Sequence, residues 1–307
     1  MTEAVYTATQ EYKRTADQSK RKHRVSVSGI LKKLGVSHSG YQAWKKRGIS
    51  KSKKRKARMK EKIQTIYEKS HKNYGAPKIA EELRKGGETI QTKTVGNYMR
   101  EMGIQARWVK KSIRTTIHPD FSEALQNILQ EQFNPPKPNA VWVSDITYIW
   151  TQEGFVYLTS IMDLFSRKII SWELSRTLEA VHVVKAVEKA KALRNIDKPL
   201  VFHADRGSQF VCQAFLDATK EMINSYSKKA YPWDNACIES FHALIKREWI
   251  YFYKILDYQH AYRLVFEYIE TFYNTVRIHS HCGYLSPDHF EREYFRKDAE
   301  NIKGKAS

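Results

Sequence analysis

Hydrophobic positions along the chain follow a helical rhythm first and an extended one later. In ILKKLGVSHSGYQAWKKR, Ile30, Leu31, Leu34, Tyr41 and Trp44 are spaced so that two short helices share a core across a turn at Gly35. The segment NYGAPKIAEELRKGGETIQTKTVGNYMREMGI repeats the arrangement at larger scale. Ile79, Ala80 and Leu83 mark one helical face, Gly86-Gly87 breaks the helix, and Val95, Tyr98 and Met99 mark a second face ending near Gly103. Residues 61–104 therefore read as a helix-turn-helix, although the same pattern also describes a plain helical hairpin.

Pro135, Pro136 and Pro138 cannot lie inside a helix or a central strand, and they mark the entry to a new domain. The rhythm then changes. VWVSDITYIW, GFVYLTSIMDL and KIISWEL are β-rich runs with short breaks between them, the pattern of an antiparallel meander. LEAVHVVKAVEKAKALR has helical periodicity, and LVFHA is a short apolar strand ending at Asp205. A helix from about Gln213 to Met222, a short strand at 223–226 and a helix from about Ala236 to Trp249 complete the order βββαβαβα. The aromatic-rich YFYKILDYQHAYRLVFEYIETFY reads as an amphipathic helix laid on that core.

Length and charge sharpen this picture. At roughly 150 residues per domain, 307 residues make about two domains. Lys and Arg number 53 against 33 Asp and Glu, a net charge of +20. Residues 1–120 hold 30 basic and 10 acidic side chains and 121–307 hold 23 of each, so the whole surplus sits at the front. KSKKRKARMK, residues 51–60, has seven basic residues and no acid; alone it reads as a solvated helix face or linker. Beside a helix-turn-helix pattern it points to nucleic acid, with Lys51, Lys53, Lys54 and Arg55 as candidate contacts. The second helix of the pair adds Gln91, Thr92, Lys93, Asn97 and Arg100, donors able to reach phosphates and base edges. An anionic membrane is the poorer partner, because no amphipathic anchor accompanies the charge. No apolar run reaches the ~18 residues of a membrane span, and the N-terminal residues lack a signal-like apolar stretch, so a cytoplasmic location is expected. Cys212, Cys237 and Cys282 have no C-x-x-C spacing and suggest reduced thiols.

The acidic residues carry the candidate chemistry. Two divalent ions ~3.5–4 Å apart need several carboxylates from distant positions, which supply oxygen ligands and neutralise the charge. Asp145 lies mid-way along an apolar strand, a costly place for an unpartnered charge. Asp205 ends the fourth strand, and Glu239 lies in the first turn of CIESFHALIKRE. If the first and fourth strands are neighbours, the aspartates can meet and a helix over their ends can bring Glu239 between them.

The segments WVSDITYIW, YLTSIMDLFSRKIISW, FHADRGSQF, YPWDNACIESFHALIKRE and YNTVRIHSHCGYLSPDHFE resemble, in order, the catalytic core of orfB-type insertion-sequence transposases. Those enzymes are relatives of retroviral integrases, with a ribonuclease-H-like fold and a DDE triad. The likeness runs over about 136–292; HKNYGAPKIAEEL extends it to about residue 60, and LGVSHSGYQAW looks like the family's opening helices. It implies an α/β core with a mixed five-stranded sheet and flanking helices, preceded by all-α helix-turn-helix modules. It implies Asp145, Asp205 and Glu239 as the metal-binding triad and Lys246 as a basic partner holding the DNA end. Two Mg²⁺ ions are implied as cofactor, with Mn²⁺ as substitute. The partners implied are the element's terminal inverted repeats, target DNA and further copies of the chain on paired ends, in a bacterial, nucleoid-associated setting; a contribution from an upstream reading frame is left open. The 33 residues between Asp205 and Glu239 are two fewer than the family's usual spacing, and the loop around 222–232 is where the shortening falls.

The expected division is a basic helical segment over 1–60, a DNA-binding helix-turn-helix over 61–118, a linker over 119–135, the catalytic core over 136–292 and a tail over 293–307. Asp163 is expected to pair with Arg167 or nearby backbone, Asp234 to cap a loop or helix, and His203 to be a hydrogen-bonded structural histidine. Arg206 and Gln209 either contact DNA or fix the DRGSQ turn. Asn274, Arg277 and His279 are expected to pack the last helix onto the core. The retroviral His2Cys2 zinc module has no counterpart here, since residues 1–211 contain no cysteine. Two other functions compete with a transposase: a repressor of transposition keeping the fold with a weak core, and a ribonuclease H proper, for which the basic prelude has no use.

Overall fold

The computed structural model describes residues 2–18, 26–47, 50–107, 125–196, 199–228 and 232–305. By its internal contacts the chain divides into two units, 1–64 and 65–307. In the first, helices α1 (Thr2–Gln18), α2 (Val27–Lys33) and α3 (His38–Lys46) enclose a small core of Tyr6, Leu31 and Tyr41, edged by Val27, Val36 and Trp44. Ser26 and Ser37 cap α2 and α3 by accepting from the Gly29 and Gly40 amides. The turn between them passes through Gly35 at φ 67°. Leu34, expected in this core, is instead 55% exposed. It follows the last residue of α2, and Tyr6 from α1 completes the core, its hydroxyl donating to the Ser37 carbonyl at 3.2 Å. Helix α1 has few large apolar residues, which is why periodicity did not mark it.

The division between the units falls within α4 (Lys51–Lys69). In the second unit, α5 (Ala76–Lys85) and α6 (Thr92–Glu101) form the expected hairpin, burying Ile79, Ala80 and Leu83 from one helix and Val95 and Met99 from the other. Pro77 stands in the first turn of α5, and Gly87 after it takes φ 81°.

A five-stranded mixed sheet follows, as expected. Strands β1 (Val141–Thr151), β2 (Gly154–Asp163) and β3 (Lys168–Ser175) form the antiparallel meander, with Asp145 opposite Ser160. Helix α7 (Ala180–Leu193) leads to β4 (Val201–Ala204), which pairs parallel to β1, and β5 (Ile223–Tyr226) pairs parallel to β4. The order is β3-β2-β1-β4-β5. The register partners Trp142 and Phe202 lie in one core cluster with Val183, Ala186, Val187 and Ala190 of α7.

Between β4 and β5, a short helix α8 (Ser208–Val211) comes first, and the helix expected from about Gln213 to Met222 is α9 (Gln213–Ala218), which ends four residues early. At its C-cap the Thr219 hydroxyl donates back to the Phe215 carbonyl while accepting from Asn224 Nδ2. At the β5 edge, residues 125–129 are held by the Ser225 hydroxyl, which accepts from the Ile128 and Leu129 amides, and by the Tyr226 amide, which donates to the Gln126 carbonyl. The expected linker thus includes a segment bound to the sheet, while its residues 119–124 lie outside the described residues.

Helix α10 (Ala236–Glu248) and α11 (Tyr258–Phe266) follow, the latter continuing as a π-helical stretch, Glu267–Tyr273; α12 (Pro287–Lys305) ends the described chain. Within the aromatic segment a 3₁₀ turn over Ile250–Phe252 comes first, and the α-helix begins only at Tyr258. Asn274 grips β3 through both atoms of its amide, accepting from the Ile169 amide and donating to the Ile169 carbonyl. Arg277 donates to both carboxylate oxygens of Glu248 at 2.7 Å, and Tyr268 Oη adds a third donor at 2.8 Å. Burial alone would raise the Glu248 pKa, but Arg277 outweighs it and holds the carboxyl below its ordinary value. Tyr74, ahead of α5, accepts from the Ile278 amide and donates to the Val276 carbonyl, tying the helix hairpin to this node. Lys78 lies over the Tyr74 ring, and burial, then the nearby Arg277 charge, pushes its pKa down to about 7.

This node yields a stability prediction. Arg277→Ala leaves a buried carboxylate without its counter-charge, which costs on the order of 3–5 kcal/mol. The double variant Arg277→Met with Glu248→Gln removes both charges and keeps an acceptor for Tyr268, so most of the loss should return. Urea denaturation of the full chain measures both; equal losses in the two variants would refute the assignment.

Candidate active site

Three elements bring the acidic residues together. Strands β1 and β4 pair from Val141↔Val201 to Val143↔His203, so Asp145 and Asp205 each lie two residues beyond the last registered pair. Parallel pairing therefore sets them level, at the point where β1 and β4 part. The third element, α10, is anchored at its start by Asn235, whose Nδ2 donates to the Ser144 carbonyl at 3.1 Å. That bond ties the helix to the residue preceding Asp145.

Each aspartate is half-fixed by its own main chain. Asp145 Oδ1 accepts from the Ile146 amide at 2.8 Å, and Asp205 Oδ1 accepts from the Gly207 amide at 2.9 Å. A Cβ on residue 207 would come 2.9 Å from that same oxygen, so glycine is needed for the turn to wrap the carboxylate. Arg206 donates to the carbonyls of Ser227 and Leu125, and Gln209 donates to that of Leu178, so both secure the turn.

On α10, Glu239, His242 and Lys246 are spaced three and four residues apart and so share one face. The exposed Glu239 carboxyl is raised above its ordinary value, first by partial desolvation and then by the charges of Asp145 and Asp205. Lys246 is lowered by burial, with Asp145 opposing the shift, and its ammonium lies 4.6 Å from the Tyr148 ring centroid. His242, which sequence reasoning did not single out, is buried between Asp145 Oδ2 and Ser160 Oγ, 3.2 Å from each. Its distance of three residues from Glu239 was the available signal.

These residues fit a hard divalent cation. The donors are carboxylate oxygens, each aspartate retains lone pairs beyond its backbone bond, and the mutual repulsion at Glu239 is what a cation would relieve. Among the described residues no three His, Cys, Asp or Glu side chains close around one point.

Other candidates fall elsewhere. Asp163 is fully buried and accepts from the Asn139 and Phe165 amides, while Arg167 donates to the Phe133 and Leu164 carbonyls. Asp234 accepts from the Lys228 amide. His203 is buried between the Ser225 and Ser227 hydroxyls, and desolvation, against the pull of Asp234, lowers its pKa to about 4. Of the shortened loop, residues 229–231 lie outside the described residues. Gln91 precedes α6; Lys93, Asn97 and Arg100 are exposed on it, and Thr92 at its start is half-buried. Lys51, Lys53, Lys54 and Arg55 are exposed on α4. Among the described residues no helix is long and apolar enough to cross a membrane.

Residues 135–227 and 221–287 match the family described as Integrase core domain, and 53–112 match the HTH-like domain. The chain is 33% identical over 279 residues to transposase InsF for insertion sequence IS3A of Escherichia coli K12, covering 89% of this chain and 96% of that protein. It is 34% identical over 236 residues to the transposase for IS904 of Lactococcus lactis subsp. lactis IL1403, covering 76% and 93%. Among solved structures, the HTLV-2 integrase catalytic core domain in complex with magnesium is similar at TM-score 0.40 and 16% identity, over 51% of this chain and 98% of that one. A simian T-cell lymphotropic virus intasome structure is similar at TM-score 0.44 and 13% identity, over 75% and 74%. Both structural likenesses are slight. The sheet order and the matched domains define an integrase-core protein, a polynucleotidyl transferase by class. The chain belongs to the IS3-type insertion-sequence transposases.

The burial of Asp163 sets a pH dependence. Desolvation raises its carboxyl to about 6 from 3.8, against the two amide donors. The unfolded chain then loses this proton near pH 4 while the native state keeps it to about pH 6. Native protein binds more protons in that window, so stability should fall as pH rises through it, by on the order of 3 kcal/mol. Denaturant midpoints of parent and Asp163→Asn between pH 4 and 7 measure the effect. Parallel profiles would show that Asp163 contributes none of it.

Proposed function

We propose that this transposase binds the terminal inverted repeats of a mobile element, frees a 3′-OH at each end and joins it to target DNA at a centre built from Asp145, Asp205 and Glu239. The observation that carries this reading is that the β1–β4 register sets Asp145 and Asp205 at matching positions, while Asn235 bonds the start of α10, the helix of Glu239, to the carbonyl of the residue before Asp145. Two Mg²⁺ ions, with Mn²⁺ able to replace them, are the proposed cofactor. When bound they supply neutralisation of the phosphate's charge and acidification of water or of the 3′-OH.

The chain's own part is positioning. Asp145 and Asp205 present carboxylates each held at one oxygen, by the Ile146 and Gly207 amides, and Glu239 approaches from the helix side. Lys246, further along the same face of α10, meets a phosphate near the reacting end as a point charge. Both steps are in-line transfers in which alignment and charge stabilisation provide most of the rate, so no covalent protein intermediate is needed.

Domain roles follow the charge. Residues 1–60 and the helix-turn-helix over 61–118 read the element end, 119–135 link them to the core over 136–292, and 293–307 form the tail. Lys51, Lys53, Lys54, Arg55, Lys93 and Arg100 meet phosphate; Gln91, Thr92 and Asn97 reach base edges; Arg206 and Gln209 border the cleavage site. Copies of the chain hold two ends together, with the product of an upstream reading frame as a further candidate partner, in the bacterial cytoplasm at the nucleoid.

The triad is tested by Asp145→Asn, Asp205→Asn and Glu239→Gln, each expected to abolish Mg²⁺-dependent strand transfer while element-end binding persists. Asp163→Asn is the control that keeps measurable activity. Lys246→Arg should retain much activity and Lys246→Ala should lose it. Strand transfer surviving any triad substitution would remove that residue from the centre, and loss of DNA binding along with activity would point to misfolding.

DNA affinity should fall steeply with salt, since each phosphate contact contributes ~0.9 to the slope of log K against log salt and on the order of 5–8 contacts are expected. Lys93→Ala should lower that slope by about one for all duplexes alike. Gln91→Ala or Asn97→Ala should instead narrow the gap between element ends and random duplex. An unchanged slope for Lys93→Ala together with unchanged discrimination for the other two would move the reading surface off α6.

A further inference from the structure

We propose that His242 is a positioning residue that holds the Asp145 carboxylate in the orientation needed to bind a divalent cation. This inference rests on the carboxylate reading above and assigns a role to a residue outside the triad. Asp145 sits on a strand, and its terminal torsion is broad and soft, so a single main-chain bond to Oδ1 leaves the plane free to rock. The second bond, from His242 to Oδ2, removes that freedom. With one oxygen held by the Ile146 amide and the other by the imidazole, the carboxylate plane is set from both sides.

The imidazole is itself fixed. A carboxylate only accepts, so Nδ1 carries the proton towards Asp145, and in the neutral ring Nε2 accepts from the Ser160 hydroxyl. Ser160 lies directly across from Asp145 on β2, so the relay Ser160, His242, Asp145 spans two paired strands and the helix laid on them. Both ring nitrogens are satisfied at a residue only 5% exposed. Reversing the ring would break both bonds, and moving the proton to Nε2 would break the bond to Asp145.

The same three residue types form the nucleophilic triad of many hydrolases, with serine as the attacking group. Here the Ser160 side chain is completely buried and no substrate reaches its hydroxyl. Its task is therefore to orient the ring, not to attack. Donors that orient a metal ligand typically change affinity by about 10- to 100-fold when removed.

The test uses the full-length chain and Mn²⁺ alone, with free metal read from its electron paramagnetic resonance signal and folding followed by thermal denaturation without metal. His242→Phe keeps an aromatic ring and removes both nitrogens; Mn²⁺ binding should weaken about 10- to 100-fold, and half-maximal cleavage of element ends should require correspondingly more metal. In His242→Asn the amide nitrogen stands where Nδ1 was, and most of the affinity should return. If His242→Phe does not fold, Ser160→Ala deletes only the hydroxyl that fixes the ring, and severalfold weaker binding is expected. Mn²⁺ affinity unchanged in the folded His242→Phe variant, or in Ser160→Ala where that variant is needed, overturns the proposal. So does an equal loss in the phenylalanine and asparagine variants. Asp145→Asn separates the two levels: affinity unchanged there sinks the carboxylate reading and this inference with it, whereas affinity lost there but kept in His242→Phe sinks this inference alone.

Discussion

The parallel pairing of β1 with β4 is the contact on which the rest of the molecule depends. It covers three residue pairs, and the two aspartates stand just past its end, where the strands stop sharing hydrogen bonds. A slip of one residue would turn every side chain of β4 to the opposite face, sending His203 into the apolar layer under α7 and Phe202 towards α10. The register is therefore held by burial: Trp142 and Phe202 fill one side, while the Ser225 and Ser227 hydroxyls satisfy His203 on the other. The placement of the two aspartates is in this sense a by-product of core packing.

Gathering carboxylates where β1 and β4 part works against stability, since like charges in a half-buried site repel. The fold meets that cost locally. Each aspartate takes a main-chain donor, Asn235 pins the helix start, and Lys246 stands over Tyr148 within the field of Asp145. What is left uncompensated is concentrated at Glu239, the most exposed of the three carboxylates.

Much of the sheet was legible because its strands alternate with turns whose residues admit few conformations, and because LVFHA is too short and apolar to be anything but a buried strand. The acidic positions stood out since a charge inside an apolar run is expensive unless it has a task. What sequence could not convey were features that depend on distant partners. Helix α1 offers only Tyr6 and Thr9 to burial, too few for a periodic signal. Helix α9 ends at Ala218, where Thr219 bonds to Asn224 of the next strand, a partner that composition does not announce. His242 looks like one more polar residue on an amphipathic helix until β1 and β2 supply the two atoms it joins.

The hydroxyl of Tyr74 has a consequence for how such a protein diversifies. Through it the helix hairpin shares main-chain bonds with residues 276–278, next to the buried ion pair that ends α10. A hairpin borrowed from a relative would have to arrive with a matching tyrosine and a tolerable neighbour for Lys78, or leave buried polar groups stranded. Hairpins in this architecture are thus poor interchangeable cassettes, and exposed residues on α6 can change at less cost to the fold than the module can be replaced.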